Sequence, residues 1–219
     1  MSARVEIAAT SVVLAGSFNP PIFQPAWFEA STLLGAEHAR AAEERLKALG
    51  NDFLGFEVEW LEIQVTRDSC AFTTTESARH TDLRDLVVGT FTLLPNTPIL
   101  ALGVNRLVHY QLSSEAYGRF EEAVAPKEPW HFLTNPKLRS VRMTGERPSD
   151  APKPGFMQVE VAPSVRIKPY GVFISVNDHY EWAEGPEMVP AEDVPAVLQS
   201  EWEAARTRAN VVVSHILGT

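Results

Sequence analysis

Asn177, Asp178, His179, Tyr180 and Glu181 follow one another at the end of the stretch GVFISVNDHYEW, the densest run of acid-base and hydrogen-bonding side chains in the chain. An imidazole titrates close to neutrality, so His179 beside a carboxylate such as Glu181 has the chemistry of proton transfer. A second stretch, PILALGVNRLVHYQL, carries Asn105 and His109. Together these residues define one functional expectation: a small-molecule-binding protein or enzyme whose sheet-helix pocket uses His109 and His179. In it Glu181 is a further catalytic candidate, and Asn105 and Asn177 are the ligand-binding lining.

The spacing limits that expectation. Successive side chains of a strand point to opposite faces. On GVFISVNDHYEW, His179 therefore shares a face with Asn177, Ser175 and Phe173, while Asp178 points with Val176 and Ile174. A carboxylate that orients an imidazole must reach its ring nitrogen, so Asp178 and His179 cannot form a dyad on a regular strand. His109 becomes the first choice of partner for His179, meeting it across a sheet face. No G-x-S-x-G, G-x4-G-K-[ST] or strand-following G-x-G-x-x-G occurs, which disfavours serine hydrolysis and the common nucleotide-dependent chemistries. The six histidines form no His-x-His, His-x3-His or HExxH arrangement, and neither a metal nor a cofactor is expected.

The elements around these stretches read as follows. Residues 5–18 are rich in β-branched types and stop at Asn-Pro-Pro, a strand. Residues 25–51 carry Ala, Glu, Leu and Arg and read as a helix interrupted at Gly35. Residues 56–75 give two strands in a hairpin turning at Arg67-Asp68-Ser69, with Leu61, Ile63 and Val65 on one face. The run 81–95 has helical spacing, 98–112 is a long strand, and 113–124 is a helix capped by Ser113 or Ser114. Residues 156–167 and 171–182 are two strands expected to pair. The proline-punctuated 146–155 reads as a surface loop. The final helix, 191–217, places Val194, Leu198, Trp202, Ala205, Ala209, Val212 and Ile216 on one stripe.

Strands grouped together rather than alternating with helices argue for α+β: mainly antiparallel sheet with helices on one face, in an order that admits two similar β-α-β-β-α halves. The expectation is a single compact domain over 1–219, with a division into two pseudo-repeated halves, 1–95 and 96–219, as the variant the element order admits.

Composition narrows the partners. With 28 acidic against 19 basic residues and a formal charge of −9, a phosphate backbone is repelled, so nucleic acid is unlikely. No apolar run reaches the roughly 20 residues of a membrane span. The amino terminus is too weak for a secretory signal. Cys70 is the only cysteine, which fits a reducing compartment, the cytoplasm, and its setting reads as a buried strand residue. Trp27, Trp60, Trp182 and Trp202 read as core. Trp130, with His131 and Phe132 among prolines, reads as an exposed aromatic cluster of the kind that anchors a partner interface.

Pro21-Ile22, the strand Ile63 to Thr66, and the glycine-centred strand from Leu102-Gly103-Val104 to His109-Tyr110 carry a resemblance. Over residues 19–112 the chain resembles a widespread group of uncharacterised bacterial α+β proteins. The resemblance implies a bacterial protein of that fold class and no catalytic residue. The leading functional expectation is a non-catalytic cytoplasmic protein-binding module, a homo-oligomer or a subunit of a larger bacterial assembly.

Overall fold

The computed structural model describes residues 3–147, 152–182 and 187–218. Among these described residues it is α+β, with ten strands in one antiparallel sheet and five α-helices. The first half runs β1 (Arg4–Gly16), α1 (Pro25–Ala30), α2 (Ala36–Glu44), β2 (Leu46–Leu49), β3 (Phe53–Glu57), β4 (Glu62–Thr66), β5 (Ser69–Thr74) and α3 (His80–Leu93). The second runs β6 (Pro98–Gln111), α4 (Ser114–Val124), β7 (Val141–Glu146), β8 (Gly155–Pro163), β9 (Gly171–Glu181), the short β10 (Val189–Pro190) and α5 (Val194–Leu217).

Across the sheet the order is β2-β3-β4-β5-β1-β6-β9-β8-β7, with β10 beside β6. In each half the last long strand returns beside the first, β5 on β1 and β9 on β6, and the long antiparallel pair β1 and β6 joins the halves.

Strand parity decides which face is covered. On β1, β6 and β9 the inward set is Val12 and Leu14, Leu102, Val104, Val108 and Tyr110, and Val172, Ile174, Val176, Asp178 and Tyr180, nearly all buried. The helices lie on that side. Phe28 of α1 packs edge-on against Phe56 and Phe72. Trp202 and Leu198 of α5 join the same core. Ala116 and Phe120 of α4 pack with Val108, Ile174 and Val213 in a second cluster. Ser113 caps α4 by accepting from Ala116 N.

Several elements differ from the sequence reading. The expected helix over 25–51 is two short helices, and Leu46–Leu49 is a strand paired with Phe56, Gly55 and Leu54. Pairing with β3 overrides the helix propensity of Leu-Lys-Ala-Leu, which is only a few tenths of a kcal/mol per residue. The expected two strands of 56–75 become three, because β3 starts at Phe53 and a tight turn, closed by Val58 and Leu61 exchanging backbone hydrogen bonds, separates it from β4. The stripe of α5 ends on Val213 and Leu217, with Val212 and Ile216 only half-buried. Two steps of four keep Ala209, Val213 and Leu217 on one face. Of the expected loop 146–155, Glu146 and Gly155 belong to strands and residues 148–151 lie outside the described residues.

Candidate functional site: a groove on the open face of the sheet

The face of the sheet away from the helices carries Ser11, Val13 and Ala15 of β1, Ala101, Gly103, Asn105, Leu107 and His109 of β6, and Phe173, Ser175, Asn177, His179 and Glu181 of β9. All three strands place these side chains on one side by parity. Asn105 stands directly opposite Asn177, and Gly103 directly opposite His179. On the other side of β6, Val13 faces Gly103 and Ala15 faces Ala101. Val13, Ala15, Ala101, Gly103, Asn105, Asn177 and His179 line a shallow groove of about 250 Å³.

Glycine at the floor of this groove leaves room for two carboxamides. A Cβ on Gly103 would lie 2.6 Å from Asn177 Oδ1 and 3.4 Å from Asn105 Nδ2, so the bare backbone lets the two carboxamides lean over β6. Asn105 Nδ2 donates to Gly103 O at 3.3 Å. Asn177 Oδ1 is buried and accepts no hydrogen bond among the described residues. A buried acceptor without a donor is costly, by about 1–3 kcal/mol.

His179 forms the wall. Phe156 stands opposite it on β8, and the two rings stack with centroids 4.4 Å apart and planes 22° from parallel. β8 approaches β9 closely here because Gly155 has φ 153°, where a Cβ would meet His179 O at 2.0 Å. Burial holds the His179 imidazole below its ordinary pKa, against the opposing pull of Glu181. The ring is neutral near pH 7, so the groove carries carboxamides and a neutral imidazole but no ionised side chain in its lining.

The structure thus brings Asn105, Asn177 and His179 together. It does not bring His109 to them: His109 pairs with Phe173 and His179 with Gly103, six residues along the strand, or about 20 Å. The expected His109–His179 pair is therefore not formed, because parity alone leaves the position along the strand open. His109 serves the turn at the far end. The Ser164 hydroxyl accepts from Arg166 N and Ile167 N, so its proton goes to His109 Nδ1 at 2.8 Å, and the imidazole packs on Phe173 with centroids 4.8 Å apart. Burial lowers its pKa, with Arg166 adding to the effect. Glu181 is exposed at the rim beyond His179, opposite Ala101.

Asp178 points the other way and is 1% exposed. Arg208 of α5 donates to its Oδ2 from Nε at 2.9 Å and from Nη2 at 2.7 Å. Arg147, 4% exposed, brings Nη1 to 3.1 Å from Asp178 Oδ1 and donates to Glu201 at 3.1 Å. Its guanidinium lies 3.7 Å from the centre of the Tyr180 ring. Burial works against the Arg208 charge, yet the bonds to Asp178 and Glu201 outweigh it and raise the pKa; burial, with Asp178 adding, raises the Tyr180 phenol. This cluster clamps α5 onto β9. The sequence held one signal for it, a carboxylate on the inward parity of an apolar strand, which demands a buried cation.

Trp130 and Phe132 are exposed at 49% and 68%; with Leu133, Lys127 and Lys137, Trp130 borders a separate surface cleft of about 260 Å³. His131 is exposed between them. Cys70 is buried in β5, and burial raises its thiol pKa, which disfavours the nucleophilic thiolate. Trp60, Trp182 and Trp202 are core, and Trp27 is half-buried against it. Among the described residues no three His, Cys, Asp or Glu side chains converge as metal ligands, and no helix is long and apolar enough to cross a membrane.

Fold and groove together define an α+β protein with a one-sided antiparallel sheet and an uncharged groove across its two central strands and β9. Compared with known proteins, the chain matches no family model and no curated protein.

Proposed function

We propose that this is a non-catalytic protein-binding module, a subunit of a larger cytoplasmic assembly in a bacterium, that receives a polypeptide segment of its partner in the groove of the open sheet face. The carrying observation is the lining itself: Val13, Ala15, Ala101 and Gly103 form a small-residue floor, flanked by two carboxamides and a neutral, ring-stacked imidazole. Pockets that enclose small ligands run to about 300–1,000 Å³ and bury most of the ligand, whereas this groove is shallower and runs across strands. Carboxamides pair with peptide N–H and C=O groups, and Asn177 Oδ1 offers an acceptor to such an N–H. The chain's formal charge of −9 favours a neutral or basic segment.

Peptides selected from a random display library and titrated by calorimetry test this reading. Binding should weaken at least tenfold in Asn177→Arg and in Gly103→Val, both of which fill the groove. Selected peptides that bind these variants as well as the natural chain would count decisively against it.

A second reading has one observation in its favour, the unpartnered Asn177 Oδ1 beside His179: a small ligand with a hydrogen-bond donor occupies the same groove, without His109. Native mass spectrometry of the purified chain tests it, by showing a bound small molecule that Asn177→Leu loses.

A further inference from the structure

On the helix-covered side of the sheet, Arg106 of β6 stands directly opposite Thr10 of β1. Helix α5 crosses above them on Ala205 and Ala209, whose small side chains leave a cavity of about 20 Å³ lined also by Thr10, Arg106, Arg206 and Asn210 and by residues 104 and 105 of β6. A space of that size holds one body of about the size of a water molecule.

His80 fixes the direction of the hydrogen bonds around it. Arg206 Nη2 lies 2.8 Å from His80 Nδ1, and an arginine only donates, so Nδ1 accepts and the ring proton sits on Nε2. Nε2–H then donates to Thr10 Oγ1 at 3.1 Å. The Thr10 hydroxyl, engaged as an acceptor, has its own proton left to turn into the cavity. Thr10 and His80 are 2% and 8% exposed, so both are fixed by packing.

Arg106 has no such neighbour. Among the described residues no carboxylate pairs with it, and its Nε is buried without a hydrogen-bond partner. Burial depresses the Arg106 pKa, and Arg206 presses it further in the same direction. The charge of Arg206 is met by Glu203 at 3.0 Å. Two guanidinium groups, a hydroxyl proton and a carboxamide thus border the cavity, and no carboxylate does. Arg106 itself is half-buried, and a set of donors with no carboxylate among them suits an anion.

We propose that this cavity is a binding site for a small inorganic anion of single-atom size, chloride, held by Arg106 and Thr10 with Arg206 and Asn210 at its rim. The anion neutralises Arg106 and ties α5 to β1 and β6. The site is on the opposite face from the groove and stands independently of the function proposed above.

Two measurements on the full chain test the site. In thermal unfolding at constant ionic strength, replacing sodium methanesulfonate by sodium chloride should raise the midpoint by about 2–4 °C once chloride exceeds its dissociation constant several-fold. Arg106→Met should remove the rise. Crystals soaked in bromide should show an anomalous peak between Arg106 and Thr10, a result that does not depend on any variant folding. Equal midpoints in the two salts, a chloride response that persists in Arg106→Met, or a bromide map without that peak would each overturn the proposal.

Discussion

Asp178 and His179 are adjacent in the chain and belong to opposite faces of the sheet: Asp178 receives two hydrogen bonds from Arg208 beneath α5, while the His179 ring stacks on Phe156 in the open groove. One strand thereby divides its polar end between a structural clamp and the open groove. The division follows from the two-residue period of the strand.

The clamp has a measurable consequence. Asp178→Ala leaves Arg147, itself buried, without one of its two carboxylate partners. Breaking a buried pair by removing one partner costs about 3–5 kcal/mol, so the urea midpoint should fall sharply. A loss below about 1 kcal/mol would mean the cluster is solvated in solution.

At Gly155 the backbone has φ 153°, and an added Cβ would lie 2.0 Å from His179 O. Gly155→Ala should cost at least about 1–3 kcal/mol, from backbone strain with the clash of its Cβ against His179 O added, and it should also part the Phe156–His179 stack. The His179 chemical shifts in an NMR spectrum report the second effect separately from the first.

Acid should destabilise the protein. Burial holds the imidazoles of His80, His109 and His179 below the ordinary value of 6.5. Between that value and the lowered folded values the unfolded chain binds more protons than the native one, so stability rises with pH. The contribution is complete above about pH 6.5 and is lost as pH falls through the folded pKa values. Glu62, lowered from 4.5 chiefly by its bond with Lys47, acts at more acid pH, which leaves the window from pH 7 to 5 to the histidines. Urea midpoints should fall across that window, and His80→Gln, whose carboxamide carries both an acceptor and a donor, should flatten the slope.

His109 and His179 should separate in function. His179→Ala removes the groove wall and should weaken binding in the groove about tenfold, whereas His109→Ala, about 20 Å away along the strand, should leave it unchanged. Affinities of both variants for one selected peptide decide the matter.

Much of the fold and part of the groove are legible in the sequence because their signals are periodic. The alternation of Val172, Ile174 and Val176 against Phe173, Ser175 and Asn177 is read directly, and that alternation alone assigns Asp178 and His179 to opposite faces. The apolar stripe of α5 is legible up to Ala209. Leu46–Leu49 is not, because its residues favour a helix and only the edge of β3 makes them a strand. Register is equally hidden: nothing local says that His179 meets Gly103 and Phe156 rather than His109. The partners of His80 and Asp178 are far along the chain, Arg206 at a separation of 126 residues and Arg208 at 30, and such contacts exist only once the helices lie on the sheet.

The proposed function requires the open face to be the surface that meets a partner protein. A photo-crosslinking amino acid placed at position 177, compared with one at position 132 in the exposed aromatic segment, tests this in cells of the natural host. A protein crosslinked from position 177, and lost when Gly103→Val fills the groove, is the predicted result. Crosslinks formed from position 132 alone would place the partner on the aromatic cluster and contradict the proposal.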